Sequence, residues 1–230
     1  MLIGGLQKLS LLDYPDKLSA IIFTAGCNFR CPYCHNPELV TKIVKKNLLT
    51  QKEIFEFLDK RKNKLDAVVI TGGEPTLHAD LPNFIAKIKK LGFLVKLDSN
   101  GTNPQMIKKL IQKKLIDYIA MDIKAPLSKY EKTVNIKMDI KKIKKSIELI
   151  LNSGLPYEFR STIMPKLHTP KDIEQMAKLI SGAKKYFLQK FVPSGNLNNQ
   201  NFNELMPFTD EEMKMLAKIC EPFVKKCKTR

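Results

Sequence analysis

An α/β fold is predicted for this chain: a partial, TIM-like (βα)6 barrel, open on one side. Three observations predict it. Short β-rich runs alternate with helical stretches along the 230 residues, which implies a parallel sheet with right-handed crossovers. Six such units can be counted, whereas a closed eight-unit barrel needs about 250 residues. Glycine-rich and unusual polar stretches follow the runs, at the strand ends where parallel βα folds gather their chemistry.

The elements follow in order. Leu18–Thr24 (LSAIIFT) reads as a buried strand. Thr50–Lys62 reads as a helix opened by a Thr50/Glu53 capping box, in which each side chain satisfies a free backbone N–H. Ala67–Thr71 is a strand running into Gly72-Gly73, and Leu81–Leu91 carries apolar residues at helical spacing. Phe93–Asp98 is a strand ending in Ser99-Asn100-Gly101, followed by a helix over Asn103–Lys113 begun by Pro104. Asp117–Asp122 is a strand, and Asp139–Asn152 a helix closed by Gly154. Tyr157–Thr162 is a strand, and Thr169–Ser181 a helix with Pro170 in its first turn, where a missing N–H costs nothing. Tyr186–Gln189 is the sixth strand, Ser194–Asn203 a polar loop, and Thr209–Cys220 a helix capped by Thr209 and Glu212. Residues 1–230 read as a single domain, with a core over about residues 5–193 and a helical C-terminal extension over about 194–230.

Hydrophobic residues make up 43% of the chain, enough for a real core. No apolar run approaches the ~18 residues of a membrane span, and the N-terminus lacks the pattern of a signal peptide. A cytoplasmic protein is expected. The net charge is +17, almost all of it lysine. A solvated lysine-rich surface accounts for that, as does an acidic partner. Only four arginines occur: Arg30, Arg61, Arg160 and Arg230. A fork-shaped guanidinium therefore carries weight where it falls inside a motif, as at Arg30 and Arg160.

Three of the five cysteines lie within eight residues, Cys27-Asn-Phe-Arg-Cys31-Pro-Tyr-Cys34. Thiolates are soft ligands for zinc and iron–sulfur clusters. Three in one loop would hold three irons of a [4Fe–4S] cluster and leave the fourth open. The alternatives are a zinc site, for which His35 is poorly placed, a ferredoxin-type cluster completed by Cys220 or Cys227, and buried unligated thiols. His78 and His168 stand alone and read as structural. Cys220 and Cys227 read first as core packing.

With Tyr33 before its last cysteine, this triplet resembles the signature of radical S-adenosylmethionine (SAM) enzymes. The longer run Gly26–Pro37 is similar to the glycyl-radical-enzyme activating group. Gly5–Leu39 (GLQKLSLLDYPDKLSAIIFTAGCNFRCPYCHNPEL) resembles most the activating proteins of anaerobic ribonucleoside-triphosphate reductases. The resemblance spans Gly5 to about Pro193. It implies one [4Fe–4S] cluster on Cys27, Cys31 and Cys34, whose open iron binds SAM. Reductive cleavage then yields methionine and a 5′-deoxyadenosyl radical that abstracts hydrogen from a glycine of a partner enzyme. The implied partners are an anaerobic ribonucleotide reductase and, as electron donor, a ferredoxin or flavodoxin.

The resemblance also implies contacts to SAM. Tyr33, Cys34 and His35 would pack against the adenine. Gly72-Gly73-Glu74 would receive the methionine amino group. Asp98, Ser99 and Asn100 would meet the ribose, or form only a turn. Asp122 and Lys124 would place the ribose or the partner's backbone, or form a structural ion pair. Arg160 would fork onto the methionine carboxylate, and Gln189 and Phe191 would lie near the adenine. Pyruvate formate-lyase activation, a radical enzyme acting on a small molecule or nucleobase, and a non-catalytic metal- or cluster-bearing nucleic-acid-binding module remain as rivals. Against the last, the basic residues form no single stripe with interleaved aromatics.

Overall fold

The computed structural model describes residues 1–230. Eight strands form one sheet in strict chain order: β1 (Ile3–Ser10), β2 (Ser19–Thr24), β3 (Ala67–Gly72), β4 (Leu94–Ser99), β5 (Tyr118–Asp122), β6 (Tyr157–Ile163), β7 (Tyr186–Lys190) and β8 (Cys227–Thr229). β1 pairs with β2 antiparallel, and every later pair is parallel. β1 and β8 do not pair, so the barrel stays open.

Eight α-helices accompany the sheet: α1 (Pro37–Val40), α2 (Gln51–Lys60), α3 (Leu81–Lys90), α4 (Pro104–Gln112), α5 (Tyr130–Val134), α6 (Ile140–Leu151), α7 (Pro170–Leu179) and α8 (Asp210–Cys220). The capping boxes at Thr50 and Thr209 form as the sequence predicts, and Thr169 makes a third with Asp172.

The sequence does not predict the short helices α1 and α5, and two strands and the chain's last segment also differ from expectation. β1 carries Gly4-Gly5 and two exposed polar positions, a weak strand pattern; it exists because β2 offers it an edge. β8 is three residues long and is fixed by pairing with β7. The segment expected to be a helical extension therefore ends as a strand, with α8 as the crossover that delivers it. Cys220 closes α8, fully buried, and Cys227 opens β8. The neighbouring Cys227 thiol, with burial, pushes the Cys220 thiol up.

Strand periodicity positions the site. Side chains alternate between the two faces of a strand. Val68, Ile70, Val95, Leu97, Ile119 and Met121 join the large core built with the helices. The intervening Ile21, Ala67, Val69 and Tyr118 form a smaller inner cluster with Tyr14. In-register parallel pairing keeps Thr71, Lys96, Asp98, Asp122, Arg160 and Thr162 in that inner phase. The inner face is thus apolar low in the barrel and charged at the strand C-termini. No helix is long and apolar enough to cross a membrane.

Candidate functional site

The cysteine loop leaves β2 through Gly26, whose φ of +98° suits glycine alone. It is clamped from several sides. The Gly26 N–H donates to Leu39 O at 2.7 Å, and Gly26 O accepts from the Glu74 N–H at 2.8 Å. Arg30 Nη1 donates to the carbonyls of Cys27 and Phe29 at 2.7 and 2.8 Å, so this arginine braces the loop. From above, Asn198 Nδ2 donates to Cys31 O at 3.0 Å, and the Asn199 N–H to Pro32 O at 2.9 Å. The polar loop after β7 therefore folds back over the cysteines.

The glycines after β3 serve this clamp. A Cβ on Gly73 would stand 2.1 Å from Gly26 O, and one on Gly72 would stand 2.6 Å from the Thr24 backbone. Only a bare backbone lets the β3 end lie this close to the cysteine loop.

One cavity opens at the strand C-termini. Its walls include Cys27, Cys31 and Cys34, Tyr33 and His35, Gly72 and Gly73, Asp98–Asn100, Asp122, Lys124 and Arg160. Three of the singled-out residues lie elsewhere. Glu74 is fully buried, and its carboxylate accepts from Thr76, from Ser99 Oγ at 2.8 Å and from the Asn100 N–H at 2.6 Å. It ties the β3 and β4 ends together, and burial raises its pKa. Phe191 is fully buried under His35, ring centroids 5.7 Å apart, while His35 Nε2 bonds Val192 O at 2.9 Å. Gln189 sits on β7 opposite Thr162 and is not among the cavity's lining residues. Thr71 and Thr162, strand-end residues to which the sequence assigned no contact of their own, also line the cavity; Thr162 shares the phase of Arg160 two residues earlier.

The charged wall is a relay of five groups. Lys96, 2% exposed, pairs with Asp98 at 3.0 Å. Asp98 pairs with Arg160 Nη1 at 3.0 Å, and Arg160 Nε with Asp122 at 3.0 Å. Asp122 then pairs with Lys124 at 3.0 Å. Arg160 thus forks onto the protein's own carboxylates, and Nη2 makes no hydrogen bond within the protein. Burial works to raise the Asp122 carboxyl, but Arg160 and Lys124 outweigh it and hold it at about 2. Arg160 and Lys96 likewise depress Asp98 against its burial. The five carry a net charge of +1, a wall suited to an anion. His168 is buried and donates or accepts structurally, to Lys124 O at 3.0 Å and from the Met164 N–H at 3.2 Å.

Burial pushes the Cys27 thiol up to about 11 and the Cys31 thiol up to about 12. Metal binding must therefore displace protons. A [4Fe–4S] cluster takes one thiolate per iron. The donor set, three soft sulfurs on one wall of a polar cavity, fits a [4Fe–4S] cluster.

Fold and site together describe an open βα barrel with a cysteine loop and one polar cavity at its strand ends. The chain matches the radical SAM superfamily over residues 21–180. It is 40% identical over 228 residues to a Methanocaldococcus jannaschii protein provisionally named a glycyl-radical enzyme activating enzyme, covering 97% of this chain and 93% of that one. It is 32% identical over 132 residues to a Listeria monocytogenes pyruvate formate-lyase-activating enzyme, 53% of this chain and 52% of the other. Streptococcus suis SuiB bound to S-adenosylmethionine superposes with a TM-score of 0.70 at 14% identity, covering 91% of this chain and 49% of SuiB. The chain belongs to the radical SAM superfamily and, within it, to the glycyl-radical enzyme activating enzymes. It is an enzyme of a family that uses a [4Fe–4S] cluster and SAM, and the reading as a non-catalytic binding module falls away.

Cys27, Cys31 and Cys34 would hold the cluster. When bound, it supplies the electron that breaks a C–S bond of SAM. The chain's own residues orient: the loop clamped by Arg30, Asn198 and Asn199 fixes the three sulfurs, and the charged wall, net +1, faces the same cavity and suits an anion.

Proposed function

We propose that this enzyme generates a glycyl radical on an anaerobic ribonucleoside-triphosphate reductase. The observation that carries the reading is the segment Gly5–Leu39, whose likeness to reductase-activating proteins extends beyond the cysteine motif. In this reading SAM lies across the cavity. Its amino group meets the backbone at Gly72-Gly73, its carboxylate meets Arg160 Nη2 and Lys124, its ribose meets Asp98–Asn100, and its adenine meets Tyr33–His35. Phe191 supports the adenine through His35, and Glu74 acts through the backbone it fixes. The partner's glycine loop enters the same cavity, and a ferredoxin or flavodoxin supplies the electron.

The test pairs the reconstituted, reduced enzyme and SAM with a purified anaerobic ribonucleotide reductase and, separately, with a pyruvate formate-lyase. Electron paramagnetic resonance reads the glycyl radical. A doublet on the reductase and none on the lyase supports the proposal. A doublet on the lyase alone transfers the assignment to that partner, a reading for which the Listeria relative speaks.

A further inference from the structure

The cavity leaves a second polar hollow at the same end of the barrel unexplained. It is bounded by Asn28, Leu77, Thr102–Gln105 and the start of α6, and it shares no residue with the cysteine cavity. It continues into a trough between α4 and α6, with Lys145 on the border of both. Ser146 Oγ anchors α6 there by donating to Gly101 O at 2.7 Å.

The two helices line the hollow and trough with exposed lysines. Lys108 and Lys109 on α4, and Lys141, Lys142, Lys144 and Lys145 on α6, are all exposed. None takes part in an ion pair. On α2 and α7, by contrast, Lys52 pairs with Glu56 and Lys178 with Glu174. Near the trough the only carboxylates are Asp139, whose side chain caps the Lys141 N–H at 3.0 Å, and Glu148.

The hollow and the cavity approach each other at the cysteine loop: Asn28 lines the hollow, and its chain neighbour Cys27 lines the cavity. Asn100 Nδ2 bridges the two, 2.9 Å from Asn28 Oδ1 and 3.9 Å from Cys27 Sγ.

We propose that this hollow, with the trough it opens into, is the docking surface for an acidic one-electron carrier protein, and that Asn28–Cys27 is where its electron enters. The inference rests on the reading of Cys27, Cys31 and Cys34 as cluster ligands. The step is a bare electron transfer: the reduced carrier loses one electron, the cluster gains one, and no bond or proton moves. Unpaired lysines steer an acidic protein to the spot. The separate entrance leaves the cysteine cavity free for SAM and the partner glycine. A nucleic acid fits less well, because neither the hollow nor the trough presents an aromatic ring for base stacking.

The test compares a triple charge reversal in the trough, K141E/K142E/K145E, with an equal reversal on and after α8, K214E/K218E/K225E. An acidic flavodoxin is the probe, with a single-stranded oligonucleotide beside it. Stopped-flow association and flavodoxin-driven cluster reduction are measured at low and moderate salt, and 5′-deoxyadenosine formation with dithionite is measured on the same samples. The trough variant is expected to associate with flavodoxin about tenfold or more slowly, with a weaker salt dependence. Its dithionite-driven product should be unchanged, and the α8 variant should stay close to wild type. Equal losses in both variants, or no loss in the trough variant, overturn the proposal. Loss of oligonucleotide binding with flavodoxin association intact reassigns the trough and also overturns it. Absence of a [4Fe–4S] spectrum from the reconstituted wild type brings down the cluster reading itself, a failure separate from that of the trough.

Discussion

Asp98 shows how much the site depends on single residues. It is buried between Arg160 and Lys96, so removing its charge leaves buried Lys96 without a carboxylate and takes one of the two that Arg160 pairs with. Asp98→Asn is predicted to destabilise the metal-free protein by about 3–5 kcal/mol, read from denaturant unfolding. Asp122 makes a pH prediction. Its folded pKa of about 2 lies below the ordinary value of 3.8. A depressed carboxylate adds stability above its ordinary value, and that stability is lost as pH falls through the folded one. Unfolding midpoints should therefore drop between about pH 4 and pH 2, and Asp122→Asn should flatten that limb while lowering stability at neutral pH. An acid limb unchanged by the substitution would contradict the pairing. The cysteine triplet, Arg160 and the Asp122–Lys124 pair were legible in the sequence, because each breaks a local pattern. Lys96 was not. A lysine in a lysine-rich chain carries no signal until the barrel places it 2% exposed, its Nζ donating to Asp13 O at 2.7 Å.

At the scale of elements, capping residues and strand runs marked the six βα units, and the boundaries shifted by only a residue or two. What escaped was the short helices α1 and α5, four and five residues long and too short to show a period, and β1 and β8, whose existence depends on edges supplied by distant chain. Glu74 was singled out, but its structural role was not legible, since beside its local bonds from Thr76 it accepts from Ser99 and Asn100 at the end of β4. The turn after β3 makes its own prediction. Gly73→Ala places a methyl group against Gly26 O, 2.1 Å away. The cysteine loop must shift, at about 1–3 kcal/mol for overpacking. Iron bound per chain after anaerobic reconstitution should fall sharply. Gly154→Ala, where φ is +73° and nothing lies within 4 Å, should cost about 1 kcal/mol and leave iron binding intact. Full iron incorporation by Gly73→Ala would contradict the clamp.

For the whole molecule, one rule explains why remote residues meet. Parallel strands in register keep one phase pointing inward, so Thr71, Asp98, Asp122 and Arg160 reach a common cavity from four strands. The fold class was legible because that rule needs only the count and order of units. The second, basic hollow was not, because α4 and α6 become neighbours only when the barrel forms. The central claim is that Cys27, Cys31 and Cys34 hold a cluster that cleaves SAM. Its most direct test is 5′-deoxyadenosine formation by the anaerobically reconstituted, dithionite-reduced protein, beside Cys31→Ala. The account predicts product from the wild type and none from the variant. Equal product from both, or a spectroscopically intact wild-type cluster that leaves SAM uncleaved even with the reductase present, would contradict it.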